Sequence, residues 1–98
     1  MAVHFDYPGA ELEAEIVRGE TGCDGSVAKR LVALAGKVRG LEQLGLAEVP
    51  STRLLVDAAR LITSGLPPRM ACNAAIVEPL TDDREVAAGL RDLVALVF

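Results

Sequence analysis

The stretch Asp24-Gly25-Ser26-Val27-Ala28-Lys29-Arg30-Leu31-Val32-Ala33-Leu34-Ala35-Gly36-Lys37-Val38-Arg39-Gly40-Leu41 decides the fold class. Val27, Leu31, Leu34, Val38 and Leu41 recur at spacings of 4, 3, 4 and 3. That period gathers them on one side of an α-helix and conflicts with the twofold alternation of a half-buried strand. Asp24 stands just ahead of the stripe, where a short acceptor side chain suits a helix cap. Lys29, Arg30, Lys37 and Arg39 fall on the other faces and read as solvated charge.

Toward the N-terminus, Glu11, Glu13 and Glu15 suit the first half of another helix, near the positive end of its dipole. Pro8 can be its first residue. Leu12 and Ile16, four apart, read as its inward pair, and Gly19 or Gly22 as its end. Before it, Ala2 to Phe5 reads as a scrap of strand ending at Asp6-Tyr7-Pro8. One short strand is not stable alone, so it is expected to fray or to pair with a neighbouring molecule. It reads as the tail of a sheet whose other strands lie in a longer protein.

Toward the C-terminus, Gly40 to Pro50 is a linker, with Leu41, Leu44 and Leu46 tacking it to the core. The segment Val49-Pro50-Ser51-Thr52-Arg53-Leu54-Leu55-Val56 then opens a helix running from about Thr52 to Ser64. Ser51 is its N-cap by residue type, its hydroxyl suited to accept from a free amide. Leu55, Ala58, Ala59 and Ile62 face inward and Gly65 is the stop. Pro67-Pro68 cannot continue that helix but can start the next, Ala-rich from Arg69 to Val77 and ended by Glu78-Pro79. Asp82 with Glu85 three residues on resembles a capping box, and Val86, Leu90, Leu93 and Val97 form the last stripe. The expectation is an all-α bundle of four to five helices with a short orphan strand at the N-terminus.

Composition fits that architecture. The 98 residues suffice for one small domain, and 51% hydrophobic content excludes a disordered tail. Aromatics make up only 3%, so the core is aliphatic, a palette suited to close-packed helices. A net charge of −4 without any Lys/Arg run argues against nucleic acid as a partner. No apolar stretch approaches the ~20 residues of a membrane span, and no signal-peptide pattern opens the chain, so the expected location is cytoplasmic. Cys23 and Cys72 then read as free thiols.

Candidate chemistry is sparse. His4 is the one histidine and has no Cys or His at ligand spacing, so no metal site and no Cys–His nucleophile is expected. Asp82-Asp83 could be paired carboxylates, but at a helix start capping explains them. No Gly-rich phosphate loop of the Walker type occurs, so the chain cannot hydrolyse ATP unaided and holds no catalytic residue. Arg53 remains. Residue type and position leave two readings open: a solvated or salt-bridged surface arginine, or a donor of two hydrogen bonds to a phosphate held by another domain, placed where free amides and the helix dipole already favour an anion.

Several strings carry a resemblance. Ser51-Thr52-Arg53-Leu54-Leu55, Arg60-Leu61-Ile62, Gly65-Leu66-Pro67-Pro68-Arg69, Ala71-Cys72 and Glu78-Pro79-Leu80-Thr81-Asp82-Asp83 resemble the C-terminal domain of the CbbQ/NirQ/NorQ family. Phe5-Asp6-Tyr7-Pro8 and Glu15-Ile16-Val17 resemble that family's entry into the domain. The likeness spans nearly the whole chain and is least distinctive from Gly19 to Gly45. It implies a member of the MoxR branch of AAA+ ATPases, in which a P-loop domain is followed by a helical lid. By that likeness residues 1–7 are the last strand of the P-loop domain and a hinge at Asp6–Pro8, and residues 8–98 are the lid. Arg53 matches the sensor-2 arginine, which contacts the nucleotide γ-phosphate and couples lid angle to nucleotide state, with Ser51 capping the helix that carries it. ATP and Mg2+ are implied for the full-length protein, and none is expected bound to this chain by itself. The implied partners are its own P-loop domain, neighbouring subunits of a hexameric ring, a von Willebrand factor A domain protein and a client enzyme. The implied activity is chaperone-like activation of that client, Rubisco or a nitric oxide or nitrite reductase.

The competing expectation is a freestanding helical adaptor that binds a partner helix in a groove. It requires a surface covered except for that groove, and Arg53 held by a carboxylate of this chain, such as Asp57 or Glu48. The lid reading requires Arg53 exposed and an uncovered apolar patch.

Overall fold

A computed structural model of the chain describes residues 9–40 and 50–98. The strand reading of Ala2 to Phe5, the hinge at Asp6–Pro8, and Leu41, Leu44 and Leu46 lie outside the described residues. Those residues form α1 (Ala10–Thr21), α2 (Gly25–Arg39), α3 (Thr52–Thr63), α4 (Pro68–Cys72), a π-helical turn (Asn73–Val77), α5 (Glu78–Leu80) and α6 (Arg84–Val97). The fold is all-α, as the spacing predicts, and no strand occurs among the described residues.

The stripe of α2 is its buried face: Leu31, Leu34 and Val38 are fully buried, Ala28, Val32 and Ala35 widen it, and Val27 packs at its edge. α2 is the hub, packing on α1, α3 and α6. From α3 come Leu55, Val56, Ala58 and Ala59, with Ile62 partly covered, and from α6 come Leu90 and Val94 with Val86, Leu93 and Val97 around them. Each fully buried Leu or Val contributes about 1.5–3 kcal/mol by leaving water.

The ends of the helices have local causes. Gly22 closes α1 with φ +71°, its amide donating to the carbonyl of Arg18 at 2.7 Å. After α3, Gly65 adopts φ +113°. Its amide reaches the carbonyl of Ile62 and that of Leu66 reaches Leu61, both at 3.0 Å. This pair of bonds is the Schellman stop that an L side chain would strain.

Three expectations fail here. On α1 the buried residues are Glu13, Ala14 and Val17, whereas Leu12 is 54% and Ile16 37% exposed. The i, i+4 pair is real, but the helix is rotated so that the neighbouring pair, Glu13 and Val17, faces the core. At α6 the cap is Asp83, not Asp82: Asp83 Oδ1 accepts from the amides of Glu85 at 2.8 Å and Val86 at 3.1 Å. Thr81 Oγ1 accepts the amide of Asp83 at 3.0 Å, which sets the turn one residue later than a capping box at Asp82 would. Finally, Glu78-Pro79 does not end the fourth helix, which continues to Leu80. Proline lacks an amide and crowds the carbonyl four residues back. The chain widens instead: Glu78 donates its amide five residues back, to Asn73, and the π turn gives the ring room.

Candidate functional site

Arg53 is the second residue of α3, exposed at the helix start. Among the described residues no carboxylate pairs with it, Asp57 included; Glu48 lies outside the described residues. A guanidinium in the first turn, beside amides that have no intrahelical acceptor, can donate two parallel hydrogen bonds to an oxyanion. Ser51 occupies the N-cap position in an extended conformation (φ −89°, ψ 166°), but its hydroxyl makes no cap bond. Its carbonyl receives the amides of Leu54 at 3.1 Å and Leu55 at 3.4 Å. The support expected from Ser51 therefore comes from its backbone.

The side chain that holds this helix start is one that residue types did not announce. Glu13 is 1% exposed, the one charged residue among the buried set of the described residues. Arg39, at the end of α2, donates from its two terminal nitrogens to Glu13 Oε1 at 2.9 Å and Oε2 at 2.8 Å. The Thr52 hydroxyl donates to Oε2 at 2.7 Å. Arg39 Nε also donates to the carbonyl of Pro50 at 3.0 Å. Pro50 is itself fully buried. One carboxylate thus joins α1, the end of α2 and Thr52, and through Arg39 it also reaches Pro50 on the other side of Ser51. Arg39 is no solvated charge, as its side chain is only 14% exposed.

The electrostatics agree with the geometry. The hydrogen bonds from Arg39 hold the Glu13 carboxyl below its ordinary value against the opposing effect of burial, and Thr52 adds to the lowering. A buried carboxylate survives only when paired and hydrogen-bonded in this way.

The thiols offer no chemistry. Cys72 is fully buried and desolvation pushes it up to about 12, so no thiolate is available near neutral pH. Cys23 is buried as well. No group of three or more potential metal ligands occurs among the described residues, and no helix there is long and apolar enough to cross a membrane. A groove of about 980 Å³ lies between α1 and α2, floored by Ala10, Ala14, Val32, Ala33 and Gly36. Arg53 does not line it.

Comparison with known proteins bears on this geometry. The family model described as CbbQ/NirQ/NorQ C-terminal matches residues 13–97. The denitrification regulatory protein NirQ of Pseudomonas aeruginosa is 53% identical over 96 residues, covering 98% of this chain and 37% of its own length. Protein NorQ of Paracoccus denitrificans is 50% identical over 98 residues, covering all of this chain and 36% of its own. Protein CbbQ of Hydrogenophilus thermoluteolus is 46% identical over 97 residues, with 99% and 36% covered. The chain therefore spans little more than a third of the curated relatives it matches.

Proposed function

The chain belongs to the CbbQ/NirQ/NorQ C-terminal family, and from that premise we propose that it is the helical lid of a MoxR-type AAA+ ATPase, with Arg53 as its nucleotide sensor. The observation that carries the reading is the exposed Arg53 in the first turn of α3, with no carboxylate of the described residues spent on it. The residues present fit one phosphate contact. The P-loop domain would supply the remaining contacts to ATP and its Mg2+.

The chemistry is differential. ATP presents a γ-phosphate that ADP lacks, so an arginine reaching it favours the lid angle compatible with ATP and releases that angle after hydrolysis. Arg53 also adds fixed positive charge where negative charge develops during phosphoryl transfer. Leu12 and Ile16, exposed on α1, give an apolar surface of the kind that packing against another domain or subunit would cover. The full assembly in this reading is a cytoplasmic hexameric ring. With a von Willebrand factor A domain partner it activates a client enzyme, Rubisco or a nitric oxide or nitrite reductase.

The test is steady-state ATP hydrolysis by the full-length protein, wild type against Arg53→Ala, with nucleotide affinity measured alongside. The expected result is turnover lowered about 10²-fold with ATP still bound, the scale seen when one transition-state donor is removed. Wild-type turnover in the variant would reduce Arg53 to a surface residue.

A further inference from the structure

We infer that Glu13, Arg39 and Thr52 form a positioning unit that locks the start of α3 to α1, so that the Arg53 guanidinium moves with α1 as one rigid body. The inference rests on the sensor reading of Arg53. It deepens that reading by naming residues that act through Arg53 without touching nucleotide.

The geometry is specific. Glu13 is the fourth residue of α1, within one turn of the end that follows residues 1–8. Its Oε2 takes the hydroxyl of Thr52, the residue immediately before Arg53 in the chain and the first of α3. Its two oxygens are also held by Arg39, whose remaining Nε fixes the carbonyl of Pro50, two residues before Thr52. Thr52, through its hydroxyl, and Pro50, through Arg39, are thereby tied to one buried carboxylate. This explains how the helix start is held although the Ser51 hydroxyl makes no cap bond.

A sensor is useful only if the angle it reads is transmitted. If α3 could slip or rotate relative to α1, contact with phosphate would move α3 alone and the rest of the domain would not follow. Bidentate pairing resists this better than a single bond, because two parallel N–H···O contacts fix direction as well as distance. Burial strengthens each contact and makes any broken state costly. α1 and α3 also pack directly on each other, so the unit works against an already rigid interface. Thr52 is the informative residue of the three, since replacing its hydroxyl leaves the Glu13–Arg39 pair intact.

The experiment is steady-state ATP hydrolysis by the full-length protein carrying Thr52→Val, Thr52→Ser, Arg53→Ala or Thr52→Val with Arg53→Ala, below the melting temperature of each. Thr52→Val keeps shape and removes the donor, whereas Thr52→Ser keeps the donor. The expected result is kcat lowered about tenfold in Thr52→Val with KM for ATP nearly unchanged, since misplacement of a catalytic contact costs this much or more. Thr52→Ser restores kcat to within about twofold. The double variant is no slower than Arg53→Ala alone, because Thr52 acts only through Arg53. Unchanged kcat in Thr52→Val, or losses that multiply in the double variant, overturn the inference while leaving the sensor reading in place. Wild-type turnover in Arg53→Ala overturns both.

Discussion

Arg39 and Glu13, 26 residues apart in the chain, meet end to end through both terminal guanidinium nitrogens and both carboxylate oxygens, at 2.9 and 2.8 Å. The pair is the polar centre of an otherwise aliphatic core. A buried ion pair adds little net stability over a well-packed apolar pair, but breaking one half of it is costly.

Replacing Glu13 by Gln or Ala leaves Arg39 charged and largely buried. The expected loss is about 3 kcal/mol in unfolding free energy, read from urea titration of this chain. The double replacement Glu13→Leu with Arg39→Met should recover part of it, since both charges are then gone. A loss below about 1 kcal/mol in Glu13→Gln would mean that the Glu13 carboxylate does not hold these helices together.

The depressed Glu13 carboxyl also sets an acid limit. A folded-state value below the ordinary 4.5 means that the unfolded chain binds the proton more readily. The contribution of Glu13 is therefore fully present above about pH 4.5 and is lost as pH falls through the lowered folded-state value. Unfolding free energy measured from pH 6 to pH 3 should fall more steeply for wild type than for Glu13→Gln.

The two aspartates ahead of α6 should separate cleanly. Asp83→Ala removes an acceptor that serves two amides and should cost about 1 kcal/mol. Asp82→Ala, exposed and without a capping bond, should stay within about 0.5 kcal/mol of wild type. Equal effects in urea titration would place the cap wrongly.

On α1, the rotation that exposes Leu12 and Ile16 predicts an inverted substitution pattern. Leu12→Ser should change stability by no more than about 0.5 kcal/mol, and Ile16→Ser, at a half-covered site, by about 1 kcal/mol. Val17→Ala, at a fully buried site, should cost about 1–3 kcal/mol. Thermal melts of the three variants decide the facing of the helix.

Burial of Cys72 predicts an alkaline limit. Its folded-state value of about 12 stands above the ordinary 9.0. Stability from the buried neutral thiol is thus complete below about pH 9 and lost as pH rises toward 12. At pH 8 a thiol reagent should reach Cys72 only at the rate of global unfolding, seen as labelling that accelerates in step with urea.

Much of the fold was legible because α2, α3 and α6 carry apolar residues at helical spacing with polar residues opposite. Gly65 was readable as a stop, and Gly22 as one of two, for the same reason that they are needed: their φ angles disfavour other residues. What was hidden was tertiary. In α1 the strongest apolar pair, Leu12 and Ile16, misled because the inward face is built from small residues and one charge. Glu13 carried an adequate local explanation, a carboxylate in the first turn, and nothing in its neighbours required more. A weak signal existed, since Ala10, Glu13, Ala14, Val17 and Thr21 share a helical face. Arg39 was hidden equally, because an arginine at a helix C-terminus already complements the dipole. At Pro79 the local rule was sound, but the helix satisfied it by widening rather than stopping. Arg53 was the part of the candidate site visible in the chain. The residues that hold it in place were not.

The bond from Arg39 Nε to the carbonyl of Pro50 has a consequence for how this domain can vary. It joins the last residue of α2 to the residue just ahead of the α3 cap, across 11 positions of sequence. The two ends of that connection are fastened to each other, and through Arg39 to Glu13. A change of chain length between Gly40 and Pro50 therefore acts on two ends already held to each other, and the start of α3, with the arginine on it, keeps its place.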